Sequence, residues 1–175
     1  AGLRLDGEAL AAALLLGTRE ADAPRAETVA RWGAGVAALM DGARRMREAQ
    51  ALLPETGMRK SADHAQQLER LRQMLLAMAQ DARVVLLRLA EHLARLRWVV
   101  RAGTPEARAE AAHETFELLA PLANRLGVWH LKWELEDLAF RCRDPETYKT
   151  IAKSLDEKRT HREAFIADVM ARLRT

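Results

Sequence analysis

The sequence predicts an all-α domain built as a bundle of several helices, and three observations support this. The helix formers Ala, Leu, Arg and Glu dominate the 175 residues, whereas Tyr (1) and Phe (3) are scarce. Apolar residues recur at helical spacing through most of the chain, and no segment has the alternation of a strand. The length is also sufficient for one domain with a substantial core, since a chain of ~150 residues buries roughly 70% of its unfolded surface.

Three helices are predicted in the first fifty residues. The first covers residues 6–16, and Gly17 is placed to end it. The second is short, begins after Pro24 and ends near Trp32, with Gly33 and Gly35 marking a break. The third begins at about residue 36, and its inward residues are predicted to be Leu39, Met40, Ala43 and Met46.

A loop is predicted over residues 53–62, where Pro, Gly and Ser occur without periodicity. Helical spacing returns over residues 63–80, with inward positions at Leu68, Leu71, Leu75 and Met78. Asp81 can cap a further apolar helix over residues 83–101.

Two cap, proline and acid combinations predict helix starts in the second half. Thr104-Pro105-Glu106 opens a helix to about residue 125, with a kink at Pro121 and a stop at Gly127. A helix over residues 129–143 follows, with Leu131, Leu135 and Leu138 inward. Asp144-Pro145-Glu146 opens the next helix, and Thr160 with Glu163 suggests a capping box for a separate last helix. The inward residues predicted for these two helices are Tyr148, Ile151, Leu155, Phe165, Val169 and Leu173.

The charge pattern is typical of a solvated surface. The formal charge is +3 and the pI is near 9.4, but acids and bases alternate along every segment. Nucleic-acid binding by this chain is therefore not expected, although the many arginines keep a ribosome- or RNA-binding domain as an alternative.

The single cysteine, Cys142, excludes an internal disulfide and fits a reducing cytoplasm. No apolar run approaches the ~20 residues of a membrane span. The first residues include no initiator Met and do not have the charged and then apolar pattern of a signal peptide. We therefore expect a soluble cytoplasmic piece of a longer protein.

The usual ligand and stacking patterns are weak. The five histidines form no His-x3-His or His-Glu-x-x-His set, which argues against a zinc site. Trp98, Trp129 and Trp133 are better explained by packing between helices than by base stacking. No Gly-rich phosphate loop follows a strand.

Two long segments, Pro121-Leu-Ala-Asn-Arg-Leu-Gly127 and Leu131-Lys-Trp-Glu-Leu-Glu-Asp-Leu-Ala-Phe140, closely resemble the signature that follows the hydrolase core of the RelA/SpoT family. Residues 144–153 resemble the passage from that family's hydrolase domain towards its synthetase domain, and residues 72–78 and 84–97 also fit. The resemblance implies an HD-type domain over residues 1–143, followed by helices at 144–175 that lead towards a synthetase domain.

The resemblance also implies the chemistry. Members of the family carry an HD domain that removes the 3′-pyrophosphate of (p)ppGpp with a manganese ion, and a neighbouring domain that makes (p)ppGpp by moving pyrophosphate from ATP to GTP or GDP. An HD hydrolase needs neutral His and ionised Asp ligands on one divalent metal. The family's first His ligand is expected before residue 1.

The second hydrolase motif aligns with Ala13–Ala21. Active members have a His and an Asp ligand where this chain has Leu16 and Gly17. Glu20 keeps the first acidic position used in catalysis, whereas Ala21 replaces the second. Because neither Leu nor Gly has a donor atom in its side chain, two metal ligands are predicted to be lost.

The third motif aligns with Arg88–Arg97. Glu91 replaces the Asp ligand, and Arg95 replaces the Asn that contacts the nucleotide. These two residues are one helical turn apart, so they are predicted either to pair directly, with the guanidinium in place of the metal, or to form an ordinary exposed pair.

The sequence thus predicts a degenerate HD domain with no catalytic residue, no metal and no cofactor. Its expected role is structural or regulatory, within a GTP pyrophosphokinase of the stringent response, and its partner would be the synthetase domain of the same protein. Ribosome contact is expected from C-terminal domains of that protein. The alternative is a residual metal-dependent (p)ppGpp 3′-pyrophosphohydrolase that uses Glu20 and Glu91.

Overall fold

The computed structural model describes residues 5–18, 23–51, 65–66, 68–70, 72–74 and 81–173, and the regular structure in these ranges is entirely helical. The elements are α1 (Gly7–Leu16), α2 (Arg25–Trp32), α3 (Ala34–Gln50), α4 (Ala82–Ala102), α5 (Pro105–Glu114), a π-helical turn (Thr115–Leu119), α6 (Ala120–Arg125), α7 (Trp129–Arg143) and α8 (Pro145–Leu173). The predicted all-α class is confirmed.

Side-chain caps explain where four of these helices begin. In each case a carboxylate or hydroxyl oxygen accepts a hydrogen bond from a backbone N–H of the first turn, which would otherwise have no partner. The capping residues are Asp6 on α1, Asp81 on α4, Thr104 on α5 and Asp144 on α8. These starts agree with the sequence prediction.

The connection between α2 and α3 is a single glycine. Gly33 has a φ of 91°, a conformation that favours glycine, and α3 begins at the next residue. The prediction of a break that includes Gly35 is wrong, because Gly35 lies within α3. Glycine is needed at this position for a different reason, because the carboxylate of Glu8 occupies the space that a Cβ would fill.

The core is formed mainly by α1, α3, α4, the π-helical turn, α6 and α7. The four inward residues predicted for α3 and both Leu131 and Leu135 of α7 are buried. α3 and α4 approach closely because Gly42 has no side chain: a Cβ there would lie 2.7 Å from Cγ2 of Val84. The buried leucines and valines give this interface most of its stability.

The predicted helix from Thr104 towards Gly127 is interrupted by a π-helical turn over Thr115–Leu119, which replaces the predicted kink at Pro121. Pro121 has no N–H, so it cannot donate to the carbonyl of Glu117 four residues earlier. Arg72 supplies the missing donor, since its Nε lies 3.0 Å from that carbonyl oxygen and its Nη2 also donates to it. A long-range side chain therefore supports the irregular turn.

α8 is one continuous helix, so the predicted new start at Thr160 is wrong. Tyr148 packs edge-on against Phe140 of α7, with 6.1 Å between ring centroids. Ile151 and Leu155 were predicted to be inward, but they are 45% and 61% exposed. In the described part of the chain, the main contact of α8 is with α7 near its own first turns, and Ile151 and Leu155 lie beyond that contact. The side chains of Phe165, Val169 and Leu173 lie outside the described part.

The predicted helix over residues 63–80 is described only in pieces. Residues 65–66, 68–70 and 72–74 are helical, and Leu68 is buried as predicted. The predicted loop at 53–62, and the positions of Leu71, Leu75 and Met78, lie outside the described residues. In the ranges that are described, no helix is long and apolar enough to cross a membrane.

Candidate functional site

α1 and α4 begin at the same end of the bundle. Nη1 of Arg83, in the first turn of α4, pairs with Asp6 and lies 3.4 Å from Oε2 of Glu8. Leu16 is ten residues along from Asp6 and Glu91 is eight residues along from Arg83, which are rises of about 15 Å and 12 Å. Because the two helices also contact each other, Leu16 of the second motif and Glu91 of the third lie at similar distances from this end of the bundle.

The two replaced positions at the end of α1 offer nothing to a metal ion. The side chain of Leu16 is 8% exposed and belongs to the apolar core. Gly17 is exposed and ends the helix, with its N–H donating to the carbonyl of Leu14 at 3.3 Å. Glu20 and Ala21 lie outside the described residues.

Glu91 is held by two arginines. Its Oε1 accepts from Nη2 of Arg47 on α3 at 2.7 Å, and its Oε2 accepts from Nη1 of Arg88 one turn earlier. The predicted Glu91–Arg95 pair is wrong. Arg95 instead reaches α5, where Nη1 lies 2.9 Å from Oε2 of Glu114 and Nη2 lies 2.8 Å from Oε2 of Glu110. The acid faces α3 and the arginine faces α5, so each finds a partner across a helix interface.

Beneath Glu91 lies a group that we call the buried polar cluster, formed by Gln50, Arg88, His92, Glu114 and Thr115. Nη2 of Arg88 donates to Oε1 of Gln50 and lies 3.8 Å from Oε1 of Glu114. Nε2 of His92 lies 2.8 Å from Oγ1 of Thr115, and its Nδ1 lies 3.4 Å from Oε2 of Glu114. Gln50 Nε2 and Arg88 Nε are buried and have no hydrogen-bond partner among the residues that the structure describes.

Sequence reasoning missed this cluster, although a signal was present. Arg88 and His92 lie four residues apart in the apolar stripe of α4, which also includes Val85, Leu89 and Leu96. A helix that buries its apolar face must also bury polar residues at those spacings. Such buried residues need partners, and α3 and α5 provide them.

Electrostatics keep His92 neutral. Burial, reinforced by the charges of Arg95 and Arg88, lowers the pKa of His92 to about 3. The Thr115 hydroxyl donates its one proton to the carbonyl of Ala111 at 2.7 Å, so Nε2 of His92 must be the donor to Thr115. Burial also raises the pKa of Glu114, against the lowering effect of Arg88 and Arg95.

The residues present do not fit a manganese ion. Such an ion needs carboxylate or imidazole donors, whereas the replaced positions carry an aliphatic side chain and a glycine. The one carboxylate at a ligand position, Glu91, is engaged by two guanidinium groups. Across the ranges described, no group of three or more His, Cys, Asp or Glu side chains is arranged to hold a metal.

The tryptophans do not pack between helices as predicted. Trp98, Trp129 and Trp133 are 61%, 51% and 65% exposed. Trp98 and Trp133 each adjoin a member of the surface ion pair between Arg97 and Glu134. That ion pair joins α4 to α7, so at the surface these two helices are linked by charged side chains and not by the tryptophans.

Cys142 is buried on α7, and burial raises the pKa of its thiol.

Comparison with known proteins agrees with this architecture. The HD domain family matches residues 1–129. The GTP pyrophosphokinase of Photobacterium angustum is 50% identical over 102 residues, covering 58% of this chain and 14% of that protein. The GTP pyrophosphokinase of Escherichia coli (strain K12) is 49% identical over 110 residues, 63% of this chain and 15% of that protein.

A relative named for hydrolysis matches more of the chain. The guanosine-3′,5′-bis(diphosphate) 3′-pyrophosphohydrolase of Haemophilus influenzae is 37% identical over 168 residues, 95% of this chain and 23% of that protein. The chain thus spans between 14% and 23% of the length of these three relatives.

The fold and the family match define an HD-type helical domain, and the chain belongs to the HD domain family. Within it, the predicted resemblance to the RelA/SpoT enzymes is confirmed by relatives named as GTP pyrophosphokinases and as a guanosine-3′,5′-bis(diphosphate) 3′-pyrophosphohydrolase.

Proposed function

We propose that this chain is an HD domain that has lost (p)ppGpp hydrolysis and acts as a structural and regulatory module of a GTP pyrophosphokinase. That enzyme would make (p)ppGpp from ATP and GTP or GDP in the stringent response, in the cytoplasm. The observation that carries the proposal is the burial of Leu16 in the apolar core at a ligand position. An aliphatic side chain packed there contributes to stability and cannot bind a metal.

The state of Glu91 supports the same proposal. In a hydrolase the carboxylate at this position would face a divalent cation, and here it faces Arg47 and Arg88 instead. Two guanidinium groups neutralise the carboxylate without offering a site for water activation. The positive charge that compensates the Glu91 carboxylate is then provided by these two arginines and not by a metal ion.

The second candidate is a residual metal-dependent (p)ppGpp 3′-pyrophosphohydrolase. The observation in its favour is the match of the Haemophilus influenzae 3′-pyrophosphohydrolase to 95% of the chain. It would have to use Glu91 and Glu20, and it would have to displace both arginines from Glu91.

A turnover assay separates the two candidates. The parent protein that contains this domain is incubated with (p)ppGpp and Mn²⁺, and pyrophosphate release is measured beside the Haemophilus influenzae relative. We expect no release above the metal-free background. Release that depends on Mn²⁺ and is lost in Glu91→Gln would overturn the proposal in favour of the second candidate.

A further inference from the structure

Three residues that lie between α3 and α4 in the sequence contact the π-helical turn and α6, and we call them the strap: Leu68, Glu69 and Arg72. Leu68 is buried in the bundle. Oε1 of Glu69 accepts from Nη2 of Arg125 on α6. Arg72 donates from Nε and Nη2 to the carbonyl of Glu117 in the turn. The strap therefore holds the turn and the helix that follows it.

The π-helical turn contains one residue more than an α-helical turn. The N–H of Ala120 donates to the carbonyl of Thr115, five residues earlier, where an α-helix would use the carbonyl four residues earlier. The carbonyl of Glu117 has no donor from Pro121, which lacks an N–H. Because Arg72 fixes the position of this carbonyl, it also keeps the extra residue in the turn.

The extra residue sets the direction in which α5 faces. One residue corresponds to about 100° of rotation around a helix axis, so a turn without the extra residue would present a different side of α5 to α4. In the arrangement observed, Nη1 of Arg95 lies 2.9 Å from Oε2 of Glu114, and Nε2 of His92 lies 2.8 Å from Oγ1 of Thr115. These contacts between α4 and the end of α5 therefore depend on the turn.

We propose that the strap is a conformational switch for α5. With the strap docked, the turn keeps its extra residue and α5 closes the buried polar cluster against α4. With the strap released, the turn becomes α-helical, α5 rotates by about 100°, and Glu114 and Thr115 leave α4. The two positions are discrete, because a helical turn gains or loses a whole residue. The switch does not require hydrolysis to be lost, so it does not rest on the proposed function.

Thiol labelling tests the switch in a protein whose single cysteine, Cys142, is replaced by Ala. Ala112→Cys places a probe on the buried side of α5, where Ala112 is 2% exposed. Arg72→Leu removes the donors of the strap. It should speed the reaction of this probe with iodoacetamide about tenfold or more, because the loss of a charge-assisted hydrogen bond shifts the equilibrium by at least that factor.

The matched probe is Ala139→Cys, since Ala139 is buried on α7, which does not rotate. Its labelling reports opening of the whole domain, so Arg72→Leu should speed it less than the α5 probe. Arg97→Leu makes the same substitution at the exposed pair with Glu134, and the rate of the α5 probe should stay within about twofold. Equal acceleration of both probes by Arg72→Leu, or none at Ala112→Cys, would overturn the proposal. Arg72→Lys retains a donor and should give a smaller acceleration, which keeps the test open if Arg72→Leu does not fold.

Linkage provides a second measurement from the other side of the switch. If the closed cluster favours the docked strap, a broken cluster must favour its release. Thr115→Val keeps the shape of the side chain and removes the hydroxyl that accepts from His92. It should speed the labelling of a probe at Leu68→Cys more than that of Ala139→Cys. An unchanged rate at Leu68→Cys would overturn the coupling between strap and cluster.

Discussion

Glu91 links two helices through its charge. Its carboxylate joins Arg47 of α3 to Arg88 of α4, and the Arg88 side chain is only 6% exposed. A buried guanidinium needs a compensating charge, since an unpaired charge in the interior is costly. Glu91 therefore contributes to the stability of the α3–α4 interface.

Glu91→Gln should therefore destabilise the fold. The neutral amide leaves the charge of Arg88 less compensated, and the loss is expected to be about 1 to 3 kcal/mol in the free energy of unfolding. Urea unfolding followed by circular dichroism measures it. Glu134→Gln is the control, because the Arg97–Glu134 pair is 52% and 42% exposed and contributes within about 1 kcal/mol. Equal losses in both variants would contradict this role of Glu91.

His92 makes the stability depend on pH. Its pKa is about 3 in the folded protein and near 6.5 in the unfolded chain, so between these values the unfolded chain binds more protons. Stability should fall as the pH drops through this window, by at most about 1.4 kcal/mol per pH unit. The raised pKa of Glu114 acts in the opposite direction, since its contribution is lost as the pH rises through its folded value.

The variant His92→Gln isolates this effect, because its amide can still donate to Thr115. Unfolding free energies at pH 7.5 and pH 5.0 are compared for the two proteins. The loss on acidification should be smaller in the variant. Identical losses would show that His92 is not the group that takes up the proton.

At the scale of elements, the π-helical turn before α6 depends on a residue distant in sequence. Pro121 leaves the Glu117 carbonyl without its usual donor, and Arg72 supplies two N–H groups to it. The irregularity is stable because the polar group is satisfied, although not by its own helix.

Arg72→Leu should destabilise the protein by about 1 to 3 kcal/mol, because the Glu117 carbonyl loses its donors. In the Pro121→Ala background the same substitution should cost less, since residue 121 then has an N–H of its own. A double-mutant cycle measured by urea unfolding gives the coupling, expected at about 0.5 kcal/mol or more. Additive losses would contradict the link between Pro121 and Arg72.

Much of the helix layout could be predicted because its signals are local. Asp6, Thr104 and Asp144 cap the helices that they were predicted to start. The merged helix after Pro145 could not be predicted, because Thr160 with Glu163 satisfies a local capping rule while the chain continues as a helix. A cap in a sequence permits a helix start but does not require one.

The candidate site was predictable only in part, because the contacts that form it join residues distant in the sequence. The replacements at Leu16, Gly17 and Glu91 are implied by the family resemblance and stay predictions. The partners of Glu91 and Arg95 lie on α3 and α5, so the sequence spacing within α4 suggested a pair that the tertiary structure does not form. Ion-pair partners depend on how helices cross, and one-dimensional spacing does not contain that information.

At the scale of the whole molecule, α8 is where we expect coupling to the rest of the parent protein. Its exposed apolar residues are Ile151, Leu155, Ile166 and Met170. At 100° per residue they lie within about 100° of one another, on one side of the helix. We expect this face to pack against the synthetase domain of the proposed parent protein.

Leu155→Lys in the proposed parent GTP pyrophosphokinase should change the rate of (p)ppGpp synthesis by about threefold or more, because a charge is placed on the proposed contact. The rate is measured from ATP and GDP. Leu14→Lys is the control, since Leu14 is 75% exposed on α1, far along the chain from α8. An unchanged rate in Leu155→Lys, with normal folding, would contradict coupling through this face.

The loss of the metal site is the central claim, and calorimetric titration of Mn²⁺ into the parent protein tests it most directly. The Haemophilus influenzae 3′-pyrophosphohydrolase is titrated in parallel as the reference. We predict that, up to millimolar Mn²⁺, the titration shows no saturable site that depends on Glu91. The curves of the unaltered protein and of Glu91→Gln should therefore be the same. One bound Mn²⁺ per chain, lost in Glu91→Gln, would contradict the account.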